Sequence, residues 1–267
     1  MTLVADSLSS VSTSSHEEKI LILCRAVPEE SRAYFQTVCV AGITNKGEFR
    51  RLYPVMFKPF VAGGGIPFHK KEWIRATTLP PDDKRDTRPE SRKLDISSVV
   101  VLNREDDEAI RRIVLRHLSP SVKAIQDSGA SLGLLKPKII DFECQIESTD
   151  EWSRDQVDLE GRPIGKIGLG QQSRYKFFCE ERKGCCGERP HSMEIHDWEV
   201  NELYRNIIRR DKKHTVIEYK MRKKLFDWMT TTRDVFFMMG THHRWKTWMI
   251  VSILYLQKPS HIPQTKL

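Results

Sequence analysis

The sequence predicts an α+β protein, with a β-rich N-terminal part and a C-terminal part of helices framed by strands. Short apolar runs bounded by Gly, Pro or Asn crowd the first half. Helical spacing of apolar residues appears once near position 110 and then dominates residues 194–229. The two patterns do not alternate in the rhythm of a doubly wound sheet.

Residues 1–17 are rich in Ser and Thr and read as a tail, with the β-rich part over 18–148. KILILCR at 19–25 is a strand ended by Pro28, and 29–35 reads as a turn or two of helix. TVCVAGI at 37–43 and FRRLYPV at 49–55 flank Asn45-Lys46-Gly47, which predicts a hairpin with a tight turn. Residues 61–65 form a glycine loop, and 72–77 around Trp73 is a strand. The stretch 79–94 holds three prolines and alternating charge, so it reads as a loop or extended edge. A strand is expected at 96–102. A helix is expected at 106–118, where Ile110, Val114 and Leu118 repeat between arginines, and a helical turn at 122–127. Residues 139–146 return to strand, and the polar 149–172 segment reads as a linker. The C-terminal part, 173–258, begins with strand RYKFFC and continues with helices over 194–210 and 216–229. It ends in the apolar strands VFFMM and WMIVSILYL, with a tail over 259–267.

With 44 basic against 36 acidic side chains the net charge is +8, and hydrophobic residues make up 39%. That composition excludes collagen-like and wholly disordered chains. No apolar run approaches the roughly 20 residues needed to span a bilayer, and the N-terminus lacks the pattern of a secretory signal. The expectation is a cytoplasmic protein without a membrane partner, its six cysteines reduced. There is no Walker loop, dinucleotide fingerprint or G-x-S-x-G elbow.

Cys179, Cys185, Cys186, His191 and His196 offer the thiolate and imidazole groups that zinc prefers, and a structural zinc is the cofactor expected there. A Gly/Cys loop with free thiols is the alternative. Residues 205–224 carry nine Lys/Arg, including Arg205, Arg209, Arg210, Lys212, Lys213 and Lys220, a density suited to phosphate. Arg50, Arg51 and Tyr53 set cations beside an aromatic on a strand, and His243 and Trp245 lie in a polar–aromatic loop; both suit base stacking. Asp197, Glu199, Asp211, Glu218 and Lys220 supply the carboxylates and lysine that metal-assisted phosphodiester cleavage needs, although Glu218 sits in a helical pattern.

Several segments recur together: VCVAGI with RLYP, RPES, SLGLLKP, DWEVNELY and FFMMGT. In this combination the chain resembles a group of uncharacterised bacterial and archaeal proteins, over about 19–256. The hairpin also resembles part of dual OB-like modules, which implies an OB-like barrel for the N-terminal part. The resemblance implies no activity of its own. It points to Arg51, Arg88, Glu90, Ser91, Lys136, Asp197, Glu199 and Tyr204 as matching polar positions. In that group a Cys and a Cys-x-Gly-His precede DWE, whereas here Cys186-Gly187 is followed by Glu188-Arg189-Pro190 before His191. The expected function is a nucleic-acid-binding protein of a bacterial cytosolic system, such as phage defence or DNA or RNA processing. A metal-dependent nuclease and a protein-interaction subunit of a larger complex are the alternatives.

Overall fold

The structure, a computed structural model, describes residues 15–31, 35–56, 68–81, 86–146, 171–242 and 246–259. The glycine loop, most of the linker, His243 and Trp245 fall outside them. The N-terminal part contains β1 (His16–Arg25), β2 (Glu29–Ser31), β3 (Phe35–Thr44), β4 (Phe49–Met56), β5 (Glu72–Leu79), β6 (Ser91–Leu94) and β7 (Val100–Arg104). The strand order is β1-β3-β4-β6-β5, and β5 returns to pair with β1, which closes a five-stranded barrel. All these pairings are antiparallel except β4 with β6. This is the Greek-key connectivity of an OB-type barrel.

Period-two alternation sorts the strand residues between two cores. Ile20, Ile22, Val38, Val40, Leu52, Ile74 and Ala76 fill the barrel interior with Phe68 and Leu94. Leu21, Leu23, Ala41, Ile43 and Trp73 face outward, yet they are buried too. Their cover is α1 (Asp107–Arg116) and a sheet of β8 (Leu132–Leu135), β12 (Arg233–Thr241) and β13 (Trp248–Gln257), ordered β13-β12-β8. In β12, Phe236 and Met238 pack on the barrel, while Val235, Phe237 and Met239 pack into the second core. That burial on both faces explains why the run VFFMM is continuous rather than alternating.

The second core is enclosed by β9 (Lys138–Ile146), β10 (Gln171–Phe178) and β11 (His191–Glu194), and by α3 (Trp198–Ile208), α4 (His214–Arg222), a π-helical turn (Lys223–Trp228) and α5 (Met229–Thr232). α2 (Val122–Asp127) adds Val122 and Ile125. Residues 132–146 fall within the segment expected to be N-terminal, yet β8 and β9 pair with the C-terminal strands β12 and β10; Leu135 and Phe142 pack into the second core, and Leu132 and Leu134 against the barrel.

Three local expectations change. Residues 29–31 form a strand paired with β3 instead of helix. The strand expected at 96–102 divides into a 3-10 turn (Ile96–Ser98), capped by Asp95, and β7. The helix expected over 194–210 begins only at Trp198, because Asp197 takes the N-cap and accepts from the Glu199 N–H, while 191–194 is a strand.

Gly42, in VCVAGI, shows what the tight β1–β3 contact requires. A Cβ there would sit 2.1 Å from the Leu21 carbonyl oxygen, and backbone cannot move aside as a side chain can. Gly42→Ala is therefore expected to destabilise by at least the roughly 1–3 kcal/mol typical of overpacking. Urea unfolding checks this; an unchanged midpoint would mean that the strand pair can part at no cost.

Candidate metal centre and basic surface

β10 and β11 form an antiparallel pair with Phe177 opposite His191. Cys179 follows β10 directly, so Cys179 and His191 stand at the base of the intervening loop. The loop folds back by a knuckle. The Arg182 carbonyl accepts from the N–H groups of Cys185 (3.2 Å), Cys186 (3.1 Å) and Gly187 (2.8 Å). The Arg182 Nε donates to the Gly187 carbonyl at 2.9 Å, and its guanidinium stacks on Phe178. Gly184 and Gly187 have φ of +75° and +53°, values that side-chain-bearing residues rarely adopt.

This knuckle brings Cys179, Cys185, Cys186 and His191 together, with their ligand atoms within 4.8 Å of one another. The Cys179 and Cys185 sulfurs are 3.8 Å apart, and Cys185 Sγ lies 3.2 Å from His191 Nε2. A tetrahedral zinc with Zn–S of about 2.3 Å and Zn–N of about 2.0 Å would separate its ligands by roughly 3.8 Å (S···S) and 3.5 Å (S···N). The donor set fits, and these four residues can hold a metal. His196 is not among them: its Nε2 meets Glu194 Oε2 at 3.3 Å. Burial lowers the pKa of the His191 imidazole, which favours the neutral form that ligates. Burial also pushes the Cys179 thiol up to about 12, against an opposing hydrogen bond from the Val122 N–H. Glu181 N–H donates to the Pro120 carbonyl at 3.0 Å, so the loop is fastened to the start of α2.

The proposed carboxylate set does not assemble. Asp197 is 1% exposed. Its Oδ2 accepts from Lys70 Nζ (2.6 Å), Ser252 Oγ (3.0 Å) and the Ile253 N–H (2.7 Å), and its Oδ1 caps α3. Glu199 reaches the same lysine at 3.3 Å. Asp211 instead pairs with Lys220 at 2.6 Å on the surface, and Glu218 lies on α4, not on a strand. Among the described residues, the group of His, Cys, Asp and Glu side chains that gathers at ligand distance is the Cys/His cluster.

The N-terminal cations are also withdrawn from solvent. Arg50 points into one end of the barrel, where it pairs with Glu18 (2.8 Å) and Glu48 (2.6 Å). Arg51 is 2% exposed. It leaves the outer face of β4 and donates to the Ser131 carbonyl (3.0 Å) and Cys39 Sγ (3.4 Å), close against Gly240. Tyr53 is half-buried, with Thr37 Oγ1 donating to its hydroxyl at 3.3 Å. OB-type barrels bind oligonucleotides on the face of their second and third strands. In this chain the β8–β12–β13 sheet covers that face. The expectation that Arg50 and Arg51 meet nucleic acid is therefore corrected.

The matching motif positions instead tie the two parts together. Glu90 accepts from Ser131 N–H (2.8 Å), Ser131 Oγ (2.6 Å) and Leu132 N–H (3.3 Å). Arg88 pairs with Asp86 and donates to the Thr241 carbonyl at 3.2 Å. Sequence spacing missed Lys70, Ser131 and Ser252, since nothing local marks a residue whose partner lies 127, 41 or 55 positions away.

The C-terminal helices present the open basic surface. Arg209, Arg210, Lys212, Lys213, Lys220, Arg222, Lys223 and Lys224 are exposed, and Arg205 is half-buried. Arg205 pairs with Glu202, Lys220 with Asp211 and Arg222 with Asp141. Among the described residues no carboxylate pairs with the other six.

Residues 16–116 match a family model described as a domain of unknown function (DUF8758), and residues 168–267 match a second, also a domain of unknown function (DUF8757). The first spans the barrel and α1, the second β10 to the C-terminus. The chain is thus similar to two uncharacterised domain families. No curated protein matches it. Among the described residues, no helix is long and apolar enough to cross a membrane.

Proposed function

We propose that this chain binds nucleic acid through the basic surface of the α3–α4 turn, α4 and the π-helical turn, and that its Cys179, Cys185, Cys186 and His191 hold a structural zinc. The observation that carries the binding reading is the set of exposed cations without carboxylate partners at Arg209, Arg210, Lys212, Lys213, Lys223 and Lys224. Each unneutralised cation on such a surface can displace a counterion from a phosphate. The barrel's usual face is covered, which moves the expected interface to the C-terminal helices. Zinc is favoured over a harder cation because the donors are sulfur and nitrogen, and four protein ligands make a closed, structural site rather than a catalytic one.

The binding test is fluorescence anisotropy with labelled oligonucleotides over a salt series. With about six phosphates neutralised, doubling the salt is expected to weaken binding by roughly tenfold or more. Arg209→Glu together with Arg210→Glu is expected to cost at least another tenfold, since it removes two cations and adds two repelling charges. Binding that is insensitive to salt and to this double substitution would overturn the reading. A protein-interaction role would then be favoured.

A further inference from the structure

We infer that the ligand of this basic surface is single-stranded nucleic acid, with Tyr219 as the platform on which an unpaired base stacks; this rests on the binding reading above. α4 buries Ile217 and Met221, so Tyr219 and Lys220 between them turn outward. Tyr219 is 60% exposed, the most exposed large apolar side chain among the described residues. Lys223, one turn on, places its Nζ 5.7 Å from the ring centroid. Lys220 is held by Asp211 at 2.6 Å, which brings the turn carrying Arg209, Arg210, Lys212 and Lys213 alongside.

Neighbouring aromatic rings are already occupied. Trp228 has Lys224 Nζ 3.4 Å from its ring centroid and the Arg233 guanidinium at 4.8 Å. Phe226 is covered by Arg222 at 4.7 Å. Tyr219 is exposed where Phe226 and Trp228 are half-buried, and its own cation, Lys223, stands farther off than theirs. A duplex hides its base faces and offers phosphates and groove edges, so it gains nothing from a flat ring on a helix surface. An unpaired strand offers both phosphates for the lysines and arginines and a π-face for the tyrosine. Stacking of this kind is indifferent to base identity, because every base has a π-face.

The test compares a labelled oligothymidylate with a duplex of equal length, using wild type, Tyr219→Ala, Tyr219→Trp and Arg209→Glu/Arg210→Glu. Wild type is expected to prefer the single strand. Tyr219→Ala is expected to lower single-strand affinity by about five- to a hundredfold, the range of one base stack, while duplex affinity stays the same. Tyr219→Trp is expected to retain or exceed wild-type affinity. Circular dichroism of each variant shows whether it is folded, and an exposed tyrosine is a safe site to truncate. Two results would overturn the inference: a Tyr219→Ala protein that binds the single strand as wild type does, or a wild type that prefers duplex. If the arginine pair still matters in those cases, the binding reading survives and only the single-strand inference falls. If the arginine pair does not matter either, both fall.

Discussion

Purified without chelator, the protein is expected to carry about one equivalent of zinc, and Cys185→Ser is expected to lose most of it together with a large part of the thermal stability. Cys185 is the informative position because its sulfur faces two other donors, 3.8 Å from Cys179 and 3.2 Å from His191. A serine hydroxyl is a far poorer zinc ligand than a thiolate. The stability effect follows from linkage: metal bound only to the folded state at a thousand times its Kd contributes about 4 kcal/mol. For a domain of this size that corresponds to roughly 10 °C in Tm. Elemental analysis and differential scanning calorimetry with and without a chelator measure both quantities. Cys144→Ser serves as the control, since Cys144 lies on β9 and is not in the cluster. The loop itself explains the size of the effect. It is rich in Gly and charged residues, most of them exposed, and its own apolar packing is too small to hold the knuckle. Metal-free protein with an unchanged Tm would leave the four residues as a packed thiol cluster.

The hairpin of β3 and β4, the strands β12 and β13 and helix α1 were legible because each has a local signature: alternation, a Gly-containing turn, or apolar residues at helical spacing. The candidate metal cluster was legible because its members are close in sequence: Cys179, Cys185, Cys186 and His191 gather around one short loop, whereas His196, beyond the end of β11, does not join them. What was not legible depends on which face of a strand meets which neighbour. Arg50 and Arg51 are adjacent in sequence and read alike. One points into the barrel toward Glu18, the other out toward Ser131. Alternation predicts that they diverge, but not that both sides are covered. Asp197 reads as a candidate catalytic acid until Lys70 is placed beside it, and that pairing spans 127 positions. Nothing local marks Tyr219 as exposed: its 60% exposure, against 3% for Tyr204, follows from which face of α4 meets the core.

Asp197→Ala is expected to destabilise the protein by about 3–5 kcal/mol, the cost of leaving one member of a buried ion pair unpaired. Lys70 is 5% exposed, and burial alone would lower its pKa. Asp197 and Glu199 override that and hold it above the ordinary lysine value. Without Asp197 the ammonium keeps only the partly exposed Glu199 and the Ile253 carbonyl at 3.3 Å. The damage extends beyond the charge, because Asp197 stands at a junction of three elements. It caps α3, binds the backbone of β13 through the Ile253 N–H, and forms a β-bridge with Ala26 just past the end of β1. Its loss should therefore loosen the barrel from the C-terminal sheet as well as weaken the helix. Replacing both members, Lys70→Met with Asp197→Leu, is expected to recover part of the loss, since no charge is then stranded, though the cap and the Ile253 bond stay broken. Chemical denaturation of the single and double variants measures the coupling directly. This comparison also separates an anchoring role from the catalytic one the sequence allowed. A structural Asp197 predicts reduced stability with partial rescue by the apolar pair. Wild-type stability in Asp197→Ala would instead return this carboxylate to the list of functional groups.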